Sequence, residues 1–258
     1  MKILLTNDDG LYAKGLNELA LALYGKGHEL FIAAPSEDQS CVSHSLTLRR
    51  PLYAERITLS GLENVTAYAI NGTPADCVRL AMGNLGAQPD AVISGINHAP
   101  NLGTDAVYSG TVSAAIEGYM VDVPSIAVSK DTFTVDFMDE AAGYFADLLP
   151  ELMTFFKGRL GMLNVNIPSM KAKDYRGVRV ARTALQKYHL AFREEIDEDG
   201  RTMYTVRSEK LTECPEGCDT DEKMMRDGYV VITPLTYDIT EYSSFDRAKA
   251  LFERDYNA

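Results

Sequence analysis

Met1-Lys-Ile-Leu-Leu-Thr-Asn-Asp-Asp-Gly10 opens the chain, and its reading decides the fold. Lys2 to Thr6 is a short leucine- and isoleucine-rich run, apolar nearly throughout, as a central parallel strand buried on both faces requires. The run stops abruptly at Asn7-Asp8-Asp9-Gly10. Two carboxylates and an amide at the carboxyl end of a buried strand stand where open α/β sheets bind ligands. Adjacent carboxylates repel and are costly to keep ionised, which asks for a positive group between them. A hard divalent cation such as Mg²⁺ or Mn²⁺ takes oxygen ligands of this kind. Gly10 then lets the backbone turn tightly or a ligand approach closely. Asn, Asp and Gly are also the ordinary turn residues, so the tetrapeptide alone reads equally as a turn or a site. The later strand ends decide between the two.

Lys14 to Tyr24 carries Leu16, Leu19, Ala20 and Leu23, the stripe of an amphipathic helix. Gly25 and Gly27 end it, and Glu29 to Ala34 is a second apolar strand stopped by Pro35. This is a βαβ opening with parallel strands and a right-handed crossover. No Gly-x-Gly-x-x-Gly lies between strand and helix, so a dinucleotide fingerprint is absent. Pro35 to Leu48 is a polar loop at the same strand-end edge, offering Ser36, Ser40, Ser43, His44 and Ser45. A hydroxyl from it is a candidate to complete a metal shell; a plain solvated loop is the alternative.

Thr66 to Ile70 reads as a strand leading into Thr73-Pro74-Ala75-Asp76, where Thr73 suits the N-cap, Pro74 the first helical position and Asp76 a capping box. Asp90 to Ser94 is again nearly all apolar and empties into Gly95 to Gly103, then Tyr108-Ser109-Gly110-Thr111 before a helix of small residues starting near Thr111. Backbone N–H groups there, with the hydroxyls of Ser109 and Thr111, make an anion cradle, although Ser-Gly-Thr is also a common N-cap with no ligand. Three strand ends thus carry polar loops to one edge, which favours a site over a set of turns.

Val123 to Ser129 makes a fifth strand, Val135 to Phe156 a long helix, and Leu163 to Ile167 a strand ended by Pro168. Beyond it the pattern changes. Val178 to Arg182, Tyr188 to Arg193 and Met203 to Arg207 alternate, with a turn at Asp197 to Gly200, and read as antiparallel hairpins projecting as an oligomer arm. Gly228 to Thr233 is a last strand and Ser243 to Arg254 a terminal helix. The expected fold is therefore α/β, a Rossmann-like, mostly parallel sheet with flanking helices and a projecting hairpin. Residues 1–175 form the catalytic core; 176–258 add the hairpins, the last core strand and a C-terminal oligomerisation segment, in one integrated domain.

The 258 residues are 46% hydrophobic and 24% charged, an ordinary globular composition. The net charge of −12 argues against binding a nucleic-acid polymer, which needs a basic footprint. An anionic substrate then requires a local positive centre, and a bound metal supplies one. No stretch approaches the roughly 20 apolar residues of a membrane span. Site-like polar residues by position 7 argue against a cleaved signal peptide. Cys41, Cys77, Cys214 and Cys218 read as four free thiols in a reducing cytoplasm, with a redox pair at 214 and 218 as the lesser alternative.

With these motifs in order, the chain resembles the SurE family of stationary-phase survival proteins, metal-dependent 5′-nucleotidases. The resemblance rests on Asn7-Asp8-Asp9-Gly10, Ser45-Leu46-Thr47, Gly72 to Val78, Ser94-Gly95-Ile96-Asn97, Asn101-Leu102-Gly103, Tyr108 to Val112 and Gly228 to Leu235. It implies hydrolysis of nucleoside 5′-monophosphates with one Mg²⁺ or Mn²⁺ per subunit, a swapped C-terminal segment and a homodimer or homotetramer. It further implies Asp8, Asp9, Ser40 and Asn97 as metal ligands, with Asn7, Asn101, Ser109, Gly110 and Thr111 around the phosphate. Asp38-Gln39-Ser40-Cys41, His98 and Ala13-Lys14-Gly15 depart from the family pattern and bear on substrate preference; His98 reads either as a general acid or as a loop residue tuning substrate fit. Broader phosphomonoesterase or exopolyphosphatase activity is the alternative chemistry. Among rivals, a haloacid-dehalogenase phosphatase needs acids two residues apart, whereas here they are adjacent. A receiver-like Mg²⁺-binding protein would use the acidic pair and Lys130, but offers Asn97 where a phosphorylatable Asp belongs.

Overall fold

A computed structural model describes residues 1–131, 136–207, 209–210 and 217–254. The first part of the chain runs β1 (Lys2–Thr6), α1 (Lys14–Gly25), β2 (Glu29–Pro35), β3 (Ala54–Ile57), β4 (Thr66–Ile70), α2 (Pro74–Gly83), β5 (Ala91–Asn97), α3 (Gly110–Met120), β6 (Ser125–Lys130), α4 (Met138–Phe155) and β7 (Met162–Ile167). After these come β8 (Val178–Val180), β9 (Tyr188–His189), β10 (Phe192–Ile196), β11 (Thr202–Val206), β12 (Glu209–Lys210), α5 (Asp221–Arg226), β13 (Val230–Leu235) and α6 (Tyr242–Phe252).

Among the described residues the main sheet has the order β3-β4-β2-β1-β5-β6-β7-β13-β8. The strands from β4 to β7 are parallel, and β3 and β13 run antiparallel to their neighbours β4 and β7. β5 and β6 are buried along their whole length, and within them Ala91 to Ile93 and Ile126 to Val128 are continuous apolar runs rather than alternations. The chain moves outward from β1 through β2 to β4, then returns to the other side of β1 for β5. The order therefore reverses between β1 and β5, the point where doubly wound sheets open a crevice at their carboxyl ends.

Helices cover both faces. Leu16, Leu19 and Leu23 of α1 and Phe145 and Leu149 of α4 pack with Leu5, Ile93 and Val165 of the sheet. On the other face Val78 and Ala81 of α2 and Ala114 of α3 lie on Leu4 and Val92. The small residues of α3 let it sit close: a side chain on Gly118 would come 2.4 Å from Ser125 Oγ. At the start of α2 the anticipated capping box is formed, Thr73 Oγ1 accepting from the Asp76 N–H and Asp76 Oδ2 from the Thr73 N–H. Two orphan donors of the first turn are satisfied reciprocally.

Several expectations are corrected. Val178 to Val180 is no hairpin arm: β8 pairs in parallel with β13 at the edge of the main sheet, so its alternation reflects an edge strand with one solvated face. β5 runs on to Asn97, past the anticipated end at Ser94. Edge strand β3 was not anticipated, because Ala54-Glu-Arg-Ile57 has no apolar alternation. β10 and β11 do form the antiparallel hairpin, closed through the Asp197–Arg201 turn. Of the cysteines, Cys41 and Cys77 are free but Cys218 is disulfide-bonded, against the reading of four thiols; Cys214 lies outside the described residues, as does Val135 at the expected start of α4. Among the described residues no helix is long and apolar enough to cross a membrane.

One packing contact sets the position of the β5 carboxyl end. A Cβ on Gly15, in the first turn of α1, would lie 1.8 Å from the Ile96 carbonyl oxygen. Gly15→Ala must therefore push α1 and the end of β5 apart. The expected cost is about 1–3 kcal/mol, read as a fall of several degrees in Tm, with a larger loss in any activity that depends on Asn97. An unchanged melting curve would show that this contact does not exist in solution.

Candidate metal and phosphate site

Three loops meet at the switch point. Asn7, Asp8 and Asp9 follow β1, Asn97 ends β5 and His98 comes next. The loop after β2 closes over them, its Gln39 N–H donating to the Asp8 carbonyl oxygen at 2.7 Å. Asn7 is fully buried, and its amide nitrogen holds the Gly10 carbonyl at 2.8 Å, bracing the turn that presents the two acids. Its side-chain oxygen is buried with no partner among the described residues.

Asp8 is 3% exposed and seated on the start of α3. Thr111 donates twice to it, its backbone N–H to Oδ2 at 3.0 Å and its hydroxyl to Oδ1. The anion that this helix N-terminus holds is thus Asp8, a favourable place for a negative charge. Gly110 makes the approach possible, since an added Cβ would meet the Asp8 Cβ at 2.8 Å and Pro74 Cγ at 3.2 Å. Ser109 caps the same helix by accepting the Val112 N–H at 3.0 Å, which leaves its own O–H and the Gly110 N–H as donors. Thr111, expected at the phosphate, is instead turned to Asp8.

Asp9 lies against His98, whose backbone N–H is 3.3 Å and whose Nδ1 is 3.7 Å from Asp9 Oδ2. Asn97 donates its amide nitrogen to the Ala99 carbonyl at 2.8 Å, so its side-chain oxygen is left to accept. Ser40 is fixed by Asp38, whose Oδ1 takes both its N–H at 2.7 Å and its hydroxyl at 2.6 Å. Asn101 is buried on the far side and tied to Ser129, Asn164 and Asn166. None of the last three was singled out in the sequence. The visible signal was two asparagines two residues apart in the otherwise apolar Met162-Leu-Asn-Val-Asn-Ile167.

The electrostatics agree with the geometry. Burial pushes the Asp8 carboxyl up to about 6, with the Asp9 charge adding to the rise and the Thr111 hydrogen bonds opposing it. Asp9 is also raised, again chiefly by burial and in part by Asp38, against the lowering effect of His98. Two neighbouring carboxylates that resist ionisation are a site in want of a cation. Among the described residues no three histidine, cysteine or carboxylate side chains gather as a metal cluster. The candidate donors are oxygens of mixed kind, two carboxylates after β1, the Ser40 hydroxyl from the loop after β2 and the Asn97 amide at the end of β5. Those donors fit a hard divalent ion and not a soft one.

Fold and site together define a doubly wound α/β protein with an acidic crevice at its switch point. The family model described as "Survival protein SurE" matches residues 3–190. The 5′-nucleotidase SurE of Trichodesmium erythraeum is 41% identical over 249 residues, with 93% of each chain covered. That of Desulfitobacterium hafniense is 44% identical over 245 residues, covering 94% of this chain and 93% of its own. The crystal structure of the SurE protein from Aquifex aeolicus superimposes with a TM-score of 0.82 at 34% identity, covering 98% of this chain and all of that one. The chain belongs to the SurE family.

The raised Asp8 value has a stability consequence with a definite sign. A folded pKa above the unfolded one means that the group costs nothing at low pH and its full amount once both states are ionised. In chelator-treated protein Asp8 therefore lowers stability progressively as pH rises from about 4 to about 6. Asp8→Asn removes that dependence, and its amide can still accept the Thr111 N–H and donate to the Thr111 hydroxyl. Metal-free Asp8→Asn is expected to be more stable than wild type at about pH 7, by on the order of 2–3 kcal/mol. The advantage shrinks toward nothing near pH 4. Thermal melts across that range check it; a variant less stable than wild type at neutral pH in chelator would contradict the account.

Proposed function

We propose that the chain is a divalent-metal-dependent phosphatase acting on nucleoside 5′-monophosphates, releasing nucleoside and phosphate. The observation that carries this reading is the pair Asp8 and Asp9, adjacent, desolvated and resisting ionisation at the switch point, in a chain of a family whose relatives bear the name 5′-nucleotidase. Family membership supports a nucleotidase or phosphatase in general; the cation, the nucleophile and the residue roles are this reading's own. Asp8, Asp9, Ser40 and Asn97 would hold one Mg²⁺ or Mn²⁺ per subunit. Asn7, Asn101, Ser109 and Gly110 would lie around the phosphate, with Thr111 beside them on Asp8. When bound, the cation supplies positive charge to the phosphoryl group and acidifies water at the site.

The chain's own groups do the rest. Thr111 holds Asp8 in one orientation, so that carboxylate needs no reordering on binding. The Gly110 N–H and the Ser109 hydroxyl donate to the phosphoryl oxygens as charge shifts onto them. Asp9, less enclosed than Asp8, accepts a proton of the attacking water and orients it. His98 braces Asp9 rather than the leaving group, which supports the role of tuning fit over that of general acid. A receiver-like reading needs a lysine reaching the acidic pair, whereas Lys130 is buried and directed to Ser169 Oγ at 3.2 Å.

Phosphate release from a mononucleotide, with chelator and with added Mn²⁺, tests the reading. We expect none without the metal and turnover with it. Asp9→Asn should cost about 10²-fold or more in rate, the scale for losing a preorganised electrostatic contact, and should diminish the Mn²⁺-induced rise in Tm. Full turnover by metal-free enzyme would overturn the proposal.

Assembly into a homodimer or homotetramer is part of the same reading. The β10–β11 register places Phe192 and Ile196 on one face with Val206 and Tyr204, and all four are more than half exposed. Helix α6 buries none of its residues, Phe245, Leu251 and Phe252 included. Apolar faces of this kind are stable when buried against another subunit. Light scattering at micromolar concentration is expected to give a dimer or tetramer; a monomer would remove this part.

A further inference from the structure

We infer that Asn164 and Asn166 of β7, together with Ser129 of β6, are positioning residues that hold Asn101 in place for the phosphoryl group. The inference rests on the reading of Asn101 as a phosphate-binding residue.

β7 is buried along its whole length. Leu163, Val165 and Ile167 join the core under α1 and α4, so the two asparagines between them project to the opposite face, where α3 lies. An amide in such a place is costly unless it is hydrogen-bonded. Both are bonded to the same residue. The Asn101 N–H donates to Asn166 Oδ1 at 2.9 Å, while Asn166 Nδ2 donates to the Asn101 carbonyl at 3.2 Å. One side chain thus takes both backbone groups of Asn101, as a neighbouring strand would, though Asn101 belongs to a loop. Asn164 Nδ2 donates to the same carbonyl at 2.7 Å. The Asn164 oxygen has no partner among the described residues, so within them this amide serves through its nitrogen.

The side chain of Asn101 is held separately, its Nδ2 donating to Ser129 Oγ at 2.7 Å. Two residues on, the Gly103 N–H is bound by the buried Asp221 at 2.8 Å. With its backbone and one amide hydrogen fixed, Asn101 keeps a second N–H and its oxygen for whatever lies beyond. A donor on an irregular loop is of use to an anion only if its direction is set beforehand. The polar shelf on β6 and β7 sets it.

The test compares Asn101→Ala, Ser129→Ala, the double variant, Asn166→Ala and wild type. Each is assayed in Mn²⁺ for kcat and KM on a nucleoside 5′-monophosphate, for inhibition by inorganic phosphate, and for the Mn²⁺-induced shift in Tm. Ser129→Ala and Asn166→Ala are each expected to raise KM and the phosphate inhibition constant by about tenfold or more, with the Mn²⁺ shift kept. In the Asn101→Ala background Ser129→Ala should add nothing further, because it acts only through that side chain. Asn101→Ala with wild-type phosphate inhibition would show that the phosphate reading itself is wrong. An impaired Asn101→Ala beside unimpaired Ser129→Ala and Asn166→Ala, or additive effects in the double variant, would sink the positioning role alone. If Asn166→Ala does not fold, the Ser129 cycle still decides.

Discussion

The contact between the Asp8 carboxylate and the first turn of α3 is the interaction on which the rest of the crevice depends. It ties the end of the central strand to the helix that connects β5 to β6, through two donors of one residue, Thr111. A negative charge at a helix N-terminus is favourable. Removing a carboxylate from water is not, and the raised pKa of Asp8 shows that Thr111 offsets only part of that cost. The remainder is a standing deficit of positive charge. Gly110, which has no side chain to hold the helix off, is what lets so close a contact form.

That deficit is deepened by the neighbours. Asp9 lies beside Asp8, and Asp38 both raises Asp9 and fixes Ser40. Three carboxylates at one edge of a chain with a net charge of −12 repel any phosphate that arrives alone. The proposed cation answers both problems at once, the unpaired charge of the fold and the repulsion of the substrate. Structure and chemistry then share one requirement, which explains why a costly arrangement is kept.

Much of this was legible in the chain itself. The continuous apolar runs gave parallel strands, and the spacing of Leu16, Leu19 and Leu23 gave α1, because burial on both faces of a sheet leaves a pattern with few alternatives. The capping box at Thr73 to Asp76 was equally plain, since it is local. What failed was what depends on partners distant in sequence. Val178 to Val180 alternates like a hairpin strand and is the edge of the main sheet, a difference set by β13 some fifty residues later. Cys218, which reads as a free thiol with a pair at 214 and 218 as the lesser alternative, is disulfide-bonded, which spacing alone did not decide. The acids, Asn97 and the start of α3 could be gathered at one edge from strand order, but which donor faces which acid could not: Thr111 was expected at the phosphate and is bound to Asp8. Asn164 and Asn166 passed as ordinary members of a strand because nothing within β7 says that a loop sixty residues earlier needs them.

The register that pairs Ile3 with Ala91 has a consequence for the making of the protein. Of these elements β1 leaves the ribosome before the others, yet the strand that completes the crevice emerges only after α1, β2, β4 and α2, and the helix that seats Asp8 later still. Until Thr111 has been synthesised the two acids stay in water, where they are hydrated and carry their charge at no cost. The desolvated pair comes into being only when the second half of the sheet closes on the first. A nascent chain halted before α3 would expose an acidic tip with no crevice around it, so the proposed capacity to hold a cation would track completion of the fold rather than the appearance of the two acids.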